Sequence, residues 1–179
     1  MTRTVAQGKP STLPHARLAL DDARLVIQEL RELRTDDAEW RIRARWVAAL
    51  AFLRLVGHVM HKVGEKSLSH RRAEVVRSWW KRMNDARLPE DSVFHNFIEE
   101  ERNNIVKEYD FRFPWRRRAL TFNGAPLTFN GSPLTFGGAF TVVNGPLKGR
   151  DALELCELGL AWWEDKVAML EAQIDVAIE

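Results

Sequence analysis

DSVFHNFIEEERNNIVKEYDF, residues 91–111, reads as a helix. Asp91 or Ser92 can cap its first amides, and Phe94, Ile98, Ile105 and Tyr109 fall close to one face at about 100° per residue. Arg102 sits near that face, between Ile98 and Ile105. Its guanidinium must therefore reach past the core edge or find a buried partner.

Downstream, Pro114 disfavours helical backbone at Phe113 and cannot donate within a continuing helix, so the helix is expected to end near Phe111. Upstream, Val75, Val76, Trp79, Trp80 and Met83 mark the inner face of a helix from Ser69 to about Asn84. Before it, Asp36 and Glu39 form a capping-box pattern that opens a helix running to Val63 and stopping at Gly64. That helix is apolar nearly all round from Trp46 onward, as the centre of a bundle requires, except for Arg54, His58 and His61, which project from one side. The first helix spans about His15 to Arg34, with Ala23, Val26, Ile27, Leu30 and Leu33 inward. Residues 1–14 read as a flexible arm punctuated by Gly8, Pro10 and Pro14.

Beyond the central stretch lies a seven-residue repeat: LTFNGAP from Leu120, LTFNGSP from Leu127 and LTFGG from Leu134. Solenoid units need about 20 residues or more, so the repeat is no solenoid. Thr-Phe suits a strand and Asn-Gly a tight turn, which predicts a short β-like or irregular insertion over 119–149. Its repeated Phe122, Phe129 and Phe136 favour a protein partner if the loop binds anything. A second capping box, Asp151 and Glu154, opens the last helix. Leu153, Leu160, Val167 and Ile174 recur every seven residues, as do Cys156, Trp163, Leu170 and Ala177, while Leu155, Leu158, Trp162 and Met169 lie off that seam. Such a helix lies mid-bundle or is shared with a second copy, and a homodimer through it is expected.

The fold class is therefore all-α: one domain over residues 15–179, a bundle of about five helices with the insertion between the fourth and fifth. A length of 179 residues and seven Trp support one folded core. The net charge of +2 does not by itself imply nucleic acid. Basic residues cluster at Arg71–Arg87 and at Arg112–Arg118, whereas the last helix is acidic, so the two are expected to face each other within the fold or across a dimer. Cys156 is the only cysteine, which excludes an internal disulfide and points to a reducing compartment. The opening segment has no signal-like apolar core and the most apolar run is short and holds Arg54, predicting a soluble, cytoplasmic protein with no membrane contact.

Arg102, Asn103, Lys107 and Tyr109 stand in the string RNNIVKEY. This stretch resembles the signature of the HEPN superfamily, small helical bundles of which many are ribonucleases: Arg, a polar residue, a few spacers, then His, often followed after one residue by Tyr. Lys107 occupies the His position. The resemblance covers about eight residues and implies a metal-independent endoribonuclease, in which Arg102 would stabilise phosphate charge and Lys107 would stand in for the proton shuttle. A lysine with an ordinary pKa of about 10.4 shuttles protons poorly near neutrality. Five residues on a straight helix also separate Arg102 from Lys107 by about 140°. A degenerate member that binds RNA, with Arg102 and Asn103 at phosphate, fits the substitution better.

Arg54 and His61 satisfy the same spacing, so Arg54, His58 and His61 are further candidates for substrate binding. His58 and His61 have no carboxylate or thiol at matching spacing on their helix, and no metal or other cofactor is predicted. Trp115, Arg116 and Arg117 combine charge with a stackable ring, compatible with single-stranded RNA. The sequence contains no phosphate-cradling glycine loop, nucleophile elbow or zinc-finger spacing. The other functional reading is a non-enzymatic helical interaction or regulatory subunit of a larger complex. Convergence of Arg102 with His58 or His61 around a basic cleft would favour the RNA reading, and an Arg102 locked in a dry ion pair the other.

Overall fold

A computed structural model describes residues 10–33, 37–108, 115–119, 121–123, 125–129, 132–133, 135–140, 142 and 146–177. It is an all-α bundle. Its main helices are α1 (Pro14–Arg31), α2 (Glu39–Val59), α4 (His70–Ala86), α5 (Glu100–Glu108) and α6 (Ala152–Val176). A π-helical turn, Met60–Gly64, and the single-turn α3 (Glu65–Ser67) follow α2, so the second helix leaves α geometry before the Val63 expected from the apolar run. A second π-helical segment, Phe94–Glu99, leads into α5.

The helix starts follow local chemistry unevenly. Asp151 caps α6, its carboxylate accepting from the amides of Leu153 (2.8 Å) and Glu154 (3.0 Å), as the capping-box pattern predicts. At α2 the cap position is Ala38, without a side-chain hydrogen bond; Asp36 lies outside the described residues. Pro14 occupies the first turn of α1, where its missing N–H costs nothing. The chain is already tied down ahead of it: Leu13 is buried and the Ser11 hydroxyl donates to Glu171.

One cluster of buried side chains runs through α1, α2, α4, the Phe94–Glu99 segment, α5 and α6. α2 is central, packing against α1, α5 and α6 and burying Ile42, Trp46, Leu50, Leu53 and Val56. Its span to Gly64 is apolar and long enough to cross a membrane by composition, and 39% of its most apolar window is buried within the chain. At its C-terminal half the core is aromatic. Trp79, Trp80, Phe94, Trp162 and Trp163 pack with ring centroids between 4.6 Å (Trp162 to Trp163) and 6.5 Å (Trp79 to Trp163). Gly57 lets α2 approach them, since a Cβ there would lie 2.8 Å from the Trp163 ring and 2.9 Å from that of Trp80.

The two sides of α6 are both occupied within the chain. Leu155, Cys156, Trp162, Trp163, Val167, Leu170 and Ile174 are buried, while Leu158 is exposed. Its acidic row faces α1, with ion pairs Arg17–Glu171, Arg24–Glu164 and Arg31–Glu157 at 2.5 Å, seven residues apart on each helix. Three of the acids of the last helix, Glu157, Glu164 and Glu171, are thus taken up by α1. A second tie joins α6 to the loop before Phe94: Lys166 Nζ lies 2.9 Å from Asp91 and the Trp162 indole donates to the carbonyl of Glu90 at 2.9 Å.

Between α5 and α6, β1 (Trp115–Ala119) pairs antiparallel with β6 (Thr135–Phe140), starting ahead of the 119 boundary expected for the insertion. The register shifts between Arg117, opposite Gly138, and Arg118, opposite Phe136, leaving Gly137 as the bulge residue. Within this ladder sit two hairpins, β2 (Thr121–Phe122) with β3 (Ala125–Pro126), and β4 (Thr128–Phe129) with β5 (Ser132–Pro133). The two full repeat units therefore fold alike. Asn123 has φ 48°, the left-handed conformation that a tight Asn-Gly turn uses. The return to the bundle is fixed by Val142, whose side chain is buried and whose carbonyl accepts from Gly149 at 2.8 Å.

Candidate functional site

Three of the basic residues singled out in the sequence meet at one place. Arg54 and His58, one turn apart on α2, and Arg102 on α5 line a cavity of about 360 Å³ between these helices. Its other walls are aliphatic: Val47, Leu50, Ala51, Leu55, Ile105 and Val106. Arg102 is exposed rather than inward. The buried position between Ile98 and Ile105 belongs to Glu101, at 3% exposure, which leaves Arg102 at the rim facing α2. Among the described residues its hydrogen-bond partner is Asn103, whose Oδ1 accepts at 3.0 Å, so the guanidinium is not locked in a dry ion pair.

Arg54 is half-buried, and its environment explains how a cation can sit there. Its guanidinium carbon lies 5.7 Å from the Trp80 ring centroid and 5.4 Å from that of Phe94, distances at which aromatic faces attract a cation. Burial lowers the Arg54 pKa, the nearby Glu99 carboxylate opposes that, and Arg102 adds to the lowering. The group still stays cationic at neutral pH, because an arginine starts so far above it. Arg54 and Arg102 therefore repel one another across the cavity, and an anion bound between them would relieve that repulsion.

Glu99 is itself held from behind. His95, buried in the π-helical segment, donates from Nε2 to the carbonyl of Met83 (3.1 Å) and presents Nδ1 to the Glu99 carboxylate (3.4 Å). Neither His95 nor the buried Glu101 stood out in the sequence: His95 lies in the π-helical segment, and Glu101, three residues after Ile98 and four before Ile105, occupies the inner position expected of Arg102.

The remaining candidates lie apart from the cavity. His61 stacks on Trp80, centroids 5.2 Å apart and planes at 13°, sharing that ring with Arg54 but not lining the recess. Lys107 is exposed and does not line it either. Asn103 is half-buried. Tyr109 lies outside the described residues, and Trp115, Arg116 and Arg117 are placed as backbone of β1. Among the described residues no cluster of three or more His, Cys, Asp or Glu could hold a metal ion. Cys156 is buried, which pushes its thiol far up and leaves it unreactive.

Comparison of the chain with protein-family models, with curated proteins and with solved structures returned no match.

Proposed function

We propose that this chain is a HEPN-like helical domain that binds RNA at the α2/α5 cavity, Arg54 and Arg102 taking a phosphate and His58 flanking it. The observation that carries the reading is the convergence of these three side chains, from two helices, on one recess. Among the described residues no carboxylate is hydrogen-bonded to both guanidiniums, which suits an anion whose oxygens can bridge them. Asn103 holds one face of the Arg102 guanidinium and leaves its other donors for the ligand.

Binding without cleavage is the form the site favours. Lys107, which stands where the resembled motif has His, is solvent-exposed and off the cavity, so it brings no proton shuttle to a phosphate held by Arg102. The test is binding and cleavage of labelled RNA at low and moderate salt, beside Arg102→Ala. Salt-sensitive binding that the substitution weakens, without cleavage, is the expected result. Cleavage lost in the variant would instead make the protein a nuclease despite Lys107. If wild type neither binds nor cuts, the RNA reading falls and the interaction-subunit reading takes its place.

A further inference from the structure

The charge of this protein is unevenly spread in a way that the total conceals. Residues 111–150 hold six basic side chains, Arg112, Arg116, Arg117, Arg118, Lys148 and Arg150, and none of the chain's 25 acidic ones. The rest of the chain is left with 21 basic residues against those 25. The insertion is thus a cationic arm on an acidic bundle. On α6, Glu154 takes up Arg150 at 3.2 Å, whereas Glu157, Glu164 and Glu171 are paired with α1 and not with the arm.

The same arm exposes aromatic rings. Phe122 and Phe129 are each 68% exposed and occupy the same position in two equivalent hairpins. A phenylalanine on a β-ribbon is ordinarily covered by its cross-strand partner. Here the partners are the small residues Ala125 and Ser132. Both Phe residues precede an Asn-Gly turn, which keeps each at a hairpin end instead of mid-sheet.

We infer that the hairpin insertion is a contact surface for unpaired nucleic acid, with Phe122 and Phe129 as stacking platforms for bases and the acid-free arm attracting the phosphates. Exposed rings on a stretch of chain that is basic and free of acids match a strand that carries one π-face and one negative charge per nucleotide, whereas a duplex hides its base faces. The inference stands on the insertion alone and does not depend on the α2/α5 cavity. It gives the repeat a purpose that neither helix packing nor the cavity supplies.

The experiment measures the anisotropy of a labelled RNA oligomer, its DNA counterpart, the same backbone with abasic positions, and a duplex. Each is titrated with wild type, F122A/F129A and R102A. Because both Phe side chains are solvent-exposed, their removal leaves the core untouched. The double variant is expected to lose about tenfold or more in affinity for the base-bearing single strand and little for the abasic strand. The duplex is expected to bind wild type more weakly than the single strand. A preference between RNA and DNA identifies which strand is taken, and either supports the inference. Unchanged affinity in F122A/F129A, or an equal loss on the abasic strand, overturns it. If R102A alone loses binding, the inference fails and the cavity reading stands; if F122A/F129A alone does, the reverse holds.

Discussion

Arginines line two helix interfaces of this protein to opposite effect. Between α1 and α6, Arg17, Arg24 and Arg31 each meet a glutamate, and the interface is closed by three ion pairs in register. Between α2 and α5, Arg54 and Arg102 meet each other across a recess, with Glu99 near Arg54 and aromatic rings behind it. The first arrangement satisfies its charges internally and has none to offer. The second leaves positive potential at an opening, which is what an anion needs. What separates an arginine paired with a carboxylate from one left at an opening here is its facing helix, not its own helix or neighbours in sequence.

The contrast breaks most directly through ligand affinity. Combining Arg54→Met with Arg102→Ala should weaken RNA binding by about tenfold or more and flatten the dependence of log affinity on log salt by about 0.7 per lost phosphate contact. Arg17→Ala, Arg24→Ala and Arg31→Ala together should leave both unchanged. Equal losses in the two sets would dissolve the distinction.

Stability sharpens it next. Gly57→Ala would drive a methyl into the Trp80 and Trp163 rings that back the Arg54 side of α2, at a cost of about 1–3 kcal/mol in the denaturation free energy. A neutral result would mean that α2 can shift away from those rings. Breaking one α1–α6 pair should matter less: for Arg24 and Glu164, both substantially exposed, a double-mutant cycle should return about 0.2–1 kcal/mol, shrinking with added salt.

The smallest effect is one of pH. Burial by itself would raise the Glu171 pKa, but hydrogen bonds from Arg17 and Ser11 outweigh it and hold the carboxyl below its ordinary value. The unfolded chain therefore binds that proton more readily. The contribution is complete above the unfolded value, about 4.3, and is lost as pH falls through the folded one. Glu171→Gln should lower stability at neutral pH by well under about 1 kcal/mol and make acid unfolding shallower, followed by denaturation midpoints across the acid range.

Several elements were legible before any coordinates. The α6 cap at Asp151, the burial of Phe94, Ile98 and Ile105, and the hairpins at the Asn-Gly repeat all depend on contacts a few residues apart, which a local pattern encodes. Arg54, His58 and Arg102 were also recognisable as candidates, because charged groups on apolar helices are costly and conspicuous. Their meeting was not. It depends on how α2 and α5 pack, which put Glu101 inward and left Arg102 at the rim, two positions that α-helical spacing between Ile98 and Ile105 does not separate. The destination of the acidic row on α6 was equally hidden.

By itself, then, the sequence determined an all-α bundle, the positions of most helices and turns, and which residues carry unusual chemistry, since each follows from side chain and backbone preferences over one or two turns. Tertiary structure alone decided which cations were neutralised and which were left at an opening, because charge pairing acts through space between helices whose neighbours no short stretch of sequence specifies.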